Sequence, residues 1–280
     1  MNVRNAKHAA QILSTLTIYA GPILGQVDVA EIELHDVLAV LEPIWTTKTE
    51  TAVRLRGRLE SVLSWATVTG YRSGENPARW RGNLDALLPK PGRVANVEHH
   101  RALPIDAVPP FVVRLREMAG IGARAVEFLL LTATRSGEVR GATWAEVDVE
   151  AGVWTIPASR MKARREHRVP LAEGALRLLR EMPRFEGSDY VFPAARNGPL
   201  SDMTLSAVLR RMNVNAVPHG LRSTFRDWAA ERTDYPHEVV EMALAHAISS
   251  QVERAYRRGD LFEKRKALMD DWAAFCLSGL

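Results

Sequence analysis

The chain is short of several things, and each shortage excludes a class of protein. One cysteine in 280 residues, Cys276, allows no intramolecular disulfide and no Cys/His spacing of zinc-binding type. That usage fits a reducing compartment, so a cytoplasmic protein is expected. The longest apolar stretch, around Phe128 to Ala133, is far below the roughly 20 residues that cross a bilayer, and no membrane partner is expected. Residues 1–8 hold no apolar run of signal-peptide type. There is no internal repeat and no low-complexity tract. What remains is ordinary globular material, 46% hydrophobic and 25% charged, in a chain long enough for two cores.

The net charge of +4 is unevenly spread. Residues 1–47 balance at −3, residues 48–101 at +5, and the remainder at +2. A basic block of this kind is the footprint a polyanion would need, although a solvated surface gives the same count. Apolar spacing predicts a helix after Asp28 as N-cap, carrying Ile32, Leu34, Val37, Leu38 and Leu41. A longer helix is predicted over Thr49–Thr69, with a core stripe of Leu55, Leu59, Val62, Leu63 and Ala66. Arg54, Arg58 and Trp65 fall on another face, where the arginines suit contacts to a phosphate backbone and Trp65 suits the edge of the core. Residues 89–103, with two prolines and a glycine, read as a linker between domains at 1–88 and 104–280. His99 and His100 make no metal site there, because neighbours on an extended chain point to opposite faces.

Beyond Pro104 the pattern is mixed. Helices are predicted over 112–119, 123–134, 172–180, 204–212, 219–232, 237–245, 250–257 and 261–275. Short strands are predicted over 146–148, 152–156 and 168–171, with a turn at 163–166. The whole is mainly α, with one small antiparallel sheet in the second domain.

The helix opening near Pro218 divides its labour. His219, Arg222 and Arg226 share one face, and Leu221, Phe225 and Trp228 the other. An imidazole and a guanidinium three residues apart can cradle a phosphate. Four other stretches keep it company: Arg135 after an apolar helix, Lys162 in the basic run 160–168, His246 after Leu244 and Ala245, and Tyr256 ten residues later beside Arg254, Arg257 and Arg258. Taken one at a time, each has a plainer reading. Arg135 could neutralise a helix C-terminus, His246 among alanines could be a core histidine, and Tyr256 could be core.

The order Arg135, Lys162, His219, Arg222, His246, Tyr256 resembles the catalytic set of the tyrosine recombinases, most closely the prophage and genomic-island integrases. Residues 43–52 and 74–78 resemble their core-binding domain, so the likeness covers nearly the whole chain. It implies a helical, SAM-like core-binding domain joined to a tyrosine-recombinase catalytic domain. It also implies that Tyr256 attacks DNA in line to give a 3′-phosphotyrosyl link. Arg135 and Arg222 would then stabilise the transition state with His219 and His246, and Lys162 would protonate the 5′ oxygen. Spacing alone does not say whether Lys162 or a neighbour such as Arg164 or Arg165 is the acid; those two are otherwise candidate DNA contacts. No cofactor and no metal is implied. The implied partners are double-stranded DNA at attachment sites, three further copies in a tetramer, and accessory DNA-bending or directionality factors. Such integrases generally carry an arm-binding domain ahead of these two, which the sequence does not show. A catalytically inactive DNA-binding regulator and a topoisomerase-like strand-passing enzyme are the alternatives. The family motif usually has glycine where this chain has Ala245.

Overall fold

The computed structural model describes residues 6–94, 100–246 and 259–280, with only the backbone for Ala6 and Lys7. It divides the chain into two compact units, Met1–Glu98 and His99–Leu280.

In the first unit α1 (Ala6–Thr15) passes through a π-helical turn, Leu16–Ala20, into the short α2 (Gly21–Leu24). Then come α3 (Leu34–Trp45) and α4 (Thr49–Val68). The start of α3 is fixed by Asp36, whose carboxylate accepts the Glu33 N–H at 2.9 Å. Asp28, expected as the cap, instead accepts the Ala30 N–H in the preceding turn. Val37, Val40, Leu41 and Ile44 recur at helical spacing and are buried against Leu55, Leu59 and Leu63 of α4. Each such side chain contributes about 2 kcal/mol by leaving water.

Three expectations for α4 are corrected. Arg58 is only 8% exposed, because it stands about 60° around the helix from Leu55 and falls on the border of the buried stripe. It therefore does not share a solvent face with Arg54, which is open and paired with Glu50 at 3.0 Å. Trp65 is 59% exposed and stacks on Tyr71 with ring centroids 5.6 Å apart, so it does not edge the core; Val62 is exposed as well. Beyond α4, Trp45 stacks on Trp80 and donates its indole N–H to the Pro89 carbonyl at 2.9 Å. With α5 (Pro91–Val94) packed on the same core, residues 89–94 of the predicted linker are folded into the first unit.

The second unit is helical around one central rod. It comprises α6 (Val108–Glu117), α7 (Ile121–Thr132), α8 (Ser136–Arg140), β1 (Val147–Asp148), β2 (Val153–Ile156) and β3 (His167–Pro170). These are followed by α9 (Glu173–Glu181), α10 (Thr204–Arg211), α11 (Pro218–Arg232), α12 (His237–Ala243) and α13 (Phe262–Leu277). Ala125 to Thr132 of α7 are buried without a break, which identifies it as the helix the others surround. Trp272 of α13 donates to its Leu130 carbonyl at 2.7 Å and packs among Phe225, Trp228 and Phe275. The strands form one antiparallel sheet in the order β1-β2-β3, with Trp154 opposite Val169 and Ile156 opposite His167. The other end of the predicted linker is also folded: Leu103 is buried in this core. Cys276 is fully buried, which pushes its thiol pKa well up. Among the described residues no helix is long and apolar enough to cross a membrane. The predicted helix 250–257 lies outside the described residues.

Candidate active site

The site begins where α7 stops. Ala133 takes a left-handed conformation, φ 49°, and turns the chain so that Arg135 heads α8. Arg135 is thus not a residue at the end of α7 facing its dipole. It stands at a helix start, held by Glu138, whose carboxylate accepts the Arg135 backbone N–H at 2.7 Å and its Nη1 at 2.9 Å. Glu138 is 4% exposed, so this pair is largely out of water and fixes the guanidinium direction. The remaining edge donates from Nη2 to the Ala245 carbonyl at 3.0 Å.

Arg222 comes from α11, which opens with Pro218 at its first position. It is 4% exposed, so it is not one of a row of solvated arginines. Nη1 donates to the Ala133 carbonyl and Nη2 to the Leu244 carbonyl, each at 2.5 Å, and Nη2 also lies 3.5 Å from His246 Nε2. Burial and then the neighbouring Arg135 charge bring its pKa down to about 10, against the opposing pull of Glu138 and Glu241. It is still a cation at neutral pH.

His246 follows α12, after Ala245 in a second left-handed turn, φ 49°. Glycine suits that backbone best. The ring is partly exposed rather than lost in the core, and its Nδ1 meets Glu241 Oε2 at 2.7 Å. Glu241 also accepts from Arg226 Nε at 2.8 Å. Burial alone would raise the Glu241 pKa. The hydrogen bond and charge of His246, with Arg226 and His237, outweigh it and hold the carboxyl below its usual range. In the neutral ring a carboxylate on Nδ1 keeps the proton there and leaves Nε2 as the acceptor facing Arg222.

His219 is exposed on the first turn of α11, and its ring meets that of His100 edge-on at 4.6 Å. Its pKa is lowered by the desolvation it suffers, then by His100, Arg222, Arg135 and His246. Arg135, His219, Arg222 and His246, from three separate stretches of sequence, are thus neighbours in one place. Lys162, Arg164 and Arg165 stand exposed on residues 157–166, the connection between β2 and β3. Among the described residues no hydrogen bond or ion pair joins Lys162 to the cluster. Tyr256 lies outside the described residues.

Three members of the surroundings were not anticipated. Glu138 and Glu241 orient Arg135 and His246 from three and five residues away, a relation visible only once the turns are known. His167 of β3 is the third. Burial first, then Arg265, Arg135 and Arg222, lower its pKa to about 4, despite a hydrogen bond with the Ala243 backbone that acts the other way. Among the described residues neither His167 Nε2 nor Arg222 Nε, both buried, has a hydrogen-bond partner. Nothing in the local pattern around His167 marked it. Also among the described residues, no group of three His, Cys, Asp or Glu side chains could hold a metal. The chemistry on offer is a cluster of guanidinium and imidazole groups of the kind that can stabilise charge on a phosphoryl group.

Comparison with known proteins agrees with this geometry. Residues 1–83 match the family model of the phage integrase central domain, and residues 110–261 that of the phage integrase family. The prophage integrase IntA of Escherichia coli is 33% identical over 260 residues, which is 90% of this chain and 61% of that protein. The chain therefore spans less than two thirds of that relative's length. Among solved structures, a lambda integrase (residues 75–356) dimer bound to a COC' core site superposes with TM-score 0.66. It is 19% identical, and the match covers 92% of this chain and 90% of that one. A lambda integrase tetramer bound to a Holliday junction gives 0.67 at 18% identity, covering 89% and 74%. The two structures agree in fold, and the family models span both units; the chain belongs to the phage integrase family.

Proposed function

We propose that the chain is a tyrosine-type site-specific DNA recombinase, which cleaves and rejoins DNA through a 3′-phosphotyrosyl intermediate to integrate or excise a mobile element. The observation that carries this reading is the convergence of Arg135, Arg222 and His246: Arg222 donates to the Leu244 carbonyl, Arg135 to the adjoining Ala245 carbonyl, and Arg222 Nη2 lies 3.5 Å from His246 Nε2. Guanidinium and imidazole donors fixed in advance can stabilise a crowded phosphorane-like transition state without reorganising. In this reading Tyr256 is the nucleophile, Arg135, Arg222, His219 and His246 hold the non-bridging oxygens, and Lys162 protonates the leaving 5′ oxygen. The phosphotyrosyl link keeps the energy of the broken bond, so rejoining needs no nucleotide cofactor. The cations, not a metal, supply the positive charge, and cleavage persists in EDTA.

The partner is duplex DNA at attachment sites, in the cytoplasm. A tetramer on two duplexes is proposed by analogy with the lambda integrase tetramer on its junction. Arg54, open on α4, and Arg164 and Arg165 on the β2–β3 connection are proposed phosphate contacts; buried Arg58 is the weakest member of that set.

The deciding experiment is covalent capture on nicked duplexes. Tyr256→Phe removes one hydroxyl, so DNA affinity stays near wild type while the protein–DNA adduct disappears. An adduct that persists in Tyr256→Phe rejects this nucleophile. Binding with no adduct from the wild-type chain on any duplex favours the inactive regulator.

A further inference from the structure

Residues 100–103 lie across the start of α11, the helix that carries His219 and Arg222. Val217 donates its N–H to the Arg101 carbonyl at 3.0 Å, and the Thr224 hydroxyl donates to the Leu103 carbonyl at 2.7 Å. Arg101 Nη1 reaches Asn215 at 2.9 Å. The approach is so close that a Cβ at position 220 would stand 1.9 Å from the Arg101 carbonyl oxygen; the glycine between His219 and Leu221 is what admits this strap. At its head His100 lays its ring against His219, edge to face, with centroids 4.6 Å apart.

We propose that His100 is a positioning residue of the active site: it holds the His219 imidazole in its working direction, and residues 100–103 are the strap that fixes it there. The proposal rests on the function proposed above, in which His219 touches the phosphate. His219 is exposed and has an open rotamer to lose, so a ring laid against it removes freedom that would otherwise be lost when DNA binds. The charged and titratable groups that face His219 are His100 on the strap, Arg222 on its own helix, Arg135 at the head of α8 and His246 after α12. Desolvation first, and then these neighbours, disfavour a proton on His219 while the site is empty, and an entering phosphate favours it.

Two readouts on the full chain test this. In the first, imidazole NMR titration of the DNA-free protein follows His219. Its titration moves to higher pH in both His100→Ala and His100→Phe, because a neighbouring charge is gone, and inorganic phosphate raises it in the wild type. In the second, a nicked duplex that the wild type captures covalently is offered to both variants. His100→Ala forms adduct about tenfold more slowly with DNA affinity unchanged, on the scale of a small misplacement of a catalytic group. His100→Phe keeps the ring contact and retains most of the rate. A His219 titration unmoved by both substitutions overturns the proposal, and so does a His100→Ala rate equal to wild type. If no duplex is captured, the function proposed above is what has failed, and the NMR arm alone decides whether His100 governs His219.

Discussion

Arg135 and Arg222 are 25% and 4% exposed and are tied to Glu138 and to the carbonyls of Ala133, Leu244 and Ala245, whereas Lys162, Arg164 and Arg165 stand open on the connection between β2 and β3. Both regions are basic, but they obey different physics. A buried guanidinium must be compensated, so its position is set by the fold, and removing it leaves acceptors unpaired. An exposed ammonium is hydrated, costs the fold little, and is placed by whatever it meets. Groups that stabilise transition-state charge gain from being fixed beforehand. A proton donor can arrive with its substrate.

The comparison can be tested where it is strongest. Arg222→Ala should damage fold and chemistry together: adduct formation falls by about 3 kcal/mol or more of barrier, on the scale of a lost oxyanion donor, and the melting temperature falls too. If its melting point equals wild type, the carbonyl ties are not structural and the two regions do not differ. Next is Glu138→Gln, which keeps shape and removes the charge opposing Arg135. Breaking such a buried pair costs on the order of 3 kcal/mol in stability, read by denaturant unfolding. On the open side, Lys162→Ala should leave the melting point unchanged while cleavage slows. A substrate with sulfur at the bridging 5′ position restores the rate, because a thiolate leaves unprotonated. Failure of that rescue moves the acid to Arg164 or Arg165.

His167 gives a pH test of the buried region. Its folded pKa of about 4 lies below the ordinary 6.5, so between those values the unfolded chain binds more protons and stability rises with pH. Acidifying from neutrality to pH 4 should therefore cost about 3 kcal/mol through this residue. His167→Gln should flatten that part of the melting-temperature profile; an unchanged slope would show that the ring is not held neutral. The smallest effect is Ala245→Gly, which should raise stability by less than about 1 kcal/mol by relieving the left-handed backbone.

Periodicity was legible because burial enforces it. The predicted Thr49–Thr69 helix is α4, Thr49–Val68, and the three strands lie within a residue or two of their expected ends. The family motif also singled out Arg135, Arg222 and His246, and the structure brings them together. What escaped depends on turns and on directions around a helix. Arg58 and Arg54 are close on a helical wheel, yet a small rotation puts one in the core and leaves the other in water. Glu138, Glu241 and His167 matter only after left-handed turns at Ala133 and Ala245 fold the chain back on itself, and alanine gives no hint of such turns. The prolines and glycine of 89–103 suggested a tether, but Trp45 and Leu103 bind its two ends.

A guanidinium has five N–H bonds, and Arg135 and Arg222 each commit some of them to peptide carbonyls. This division bears on reversibility. A cage offering every donor to phosphate would hold substrate, covalent intermediate and product all tightly, and the intermediate would become a sink. Sharing the donors with the backbone lowers affinity for resting phosphates while keeping the remaining N–H bonds aimed. In the reaction proposed above, the phosphoryl group then passes to an incoming hydroxyl as readily as it came. Under the function proposed above, strand exchange between equal bonds runs in either direction with such a balance.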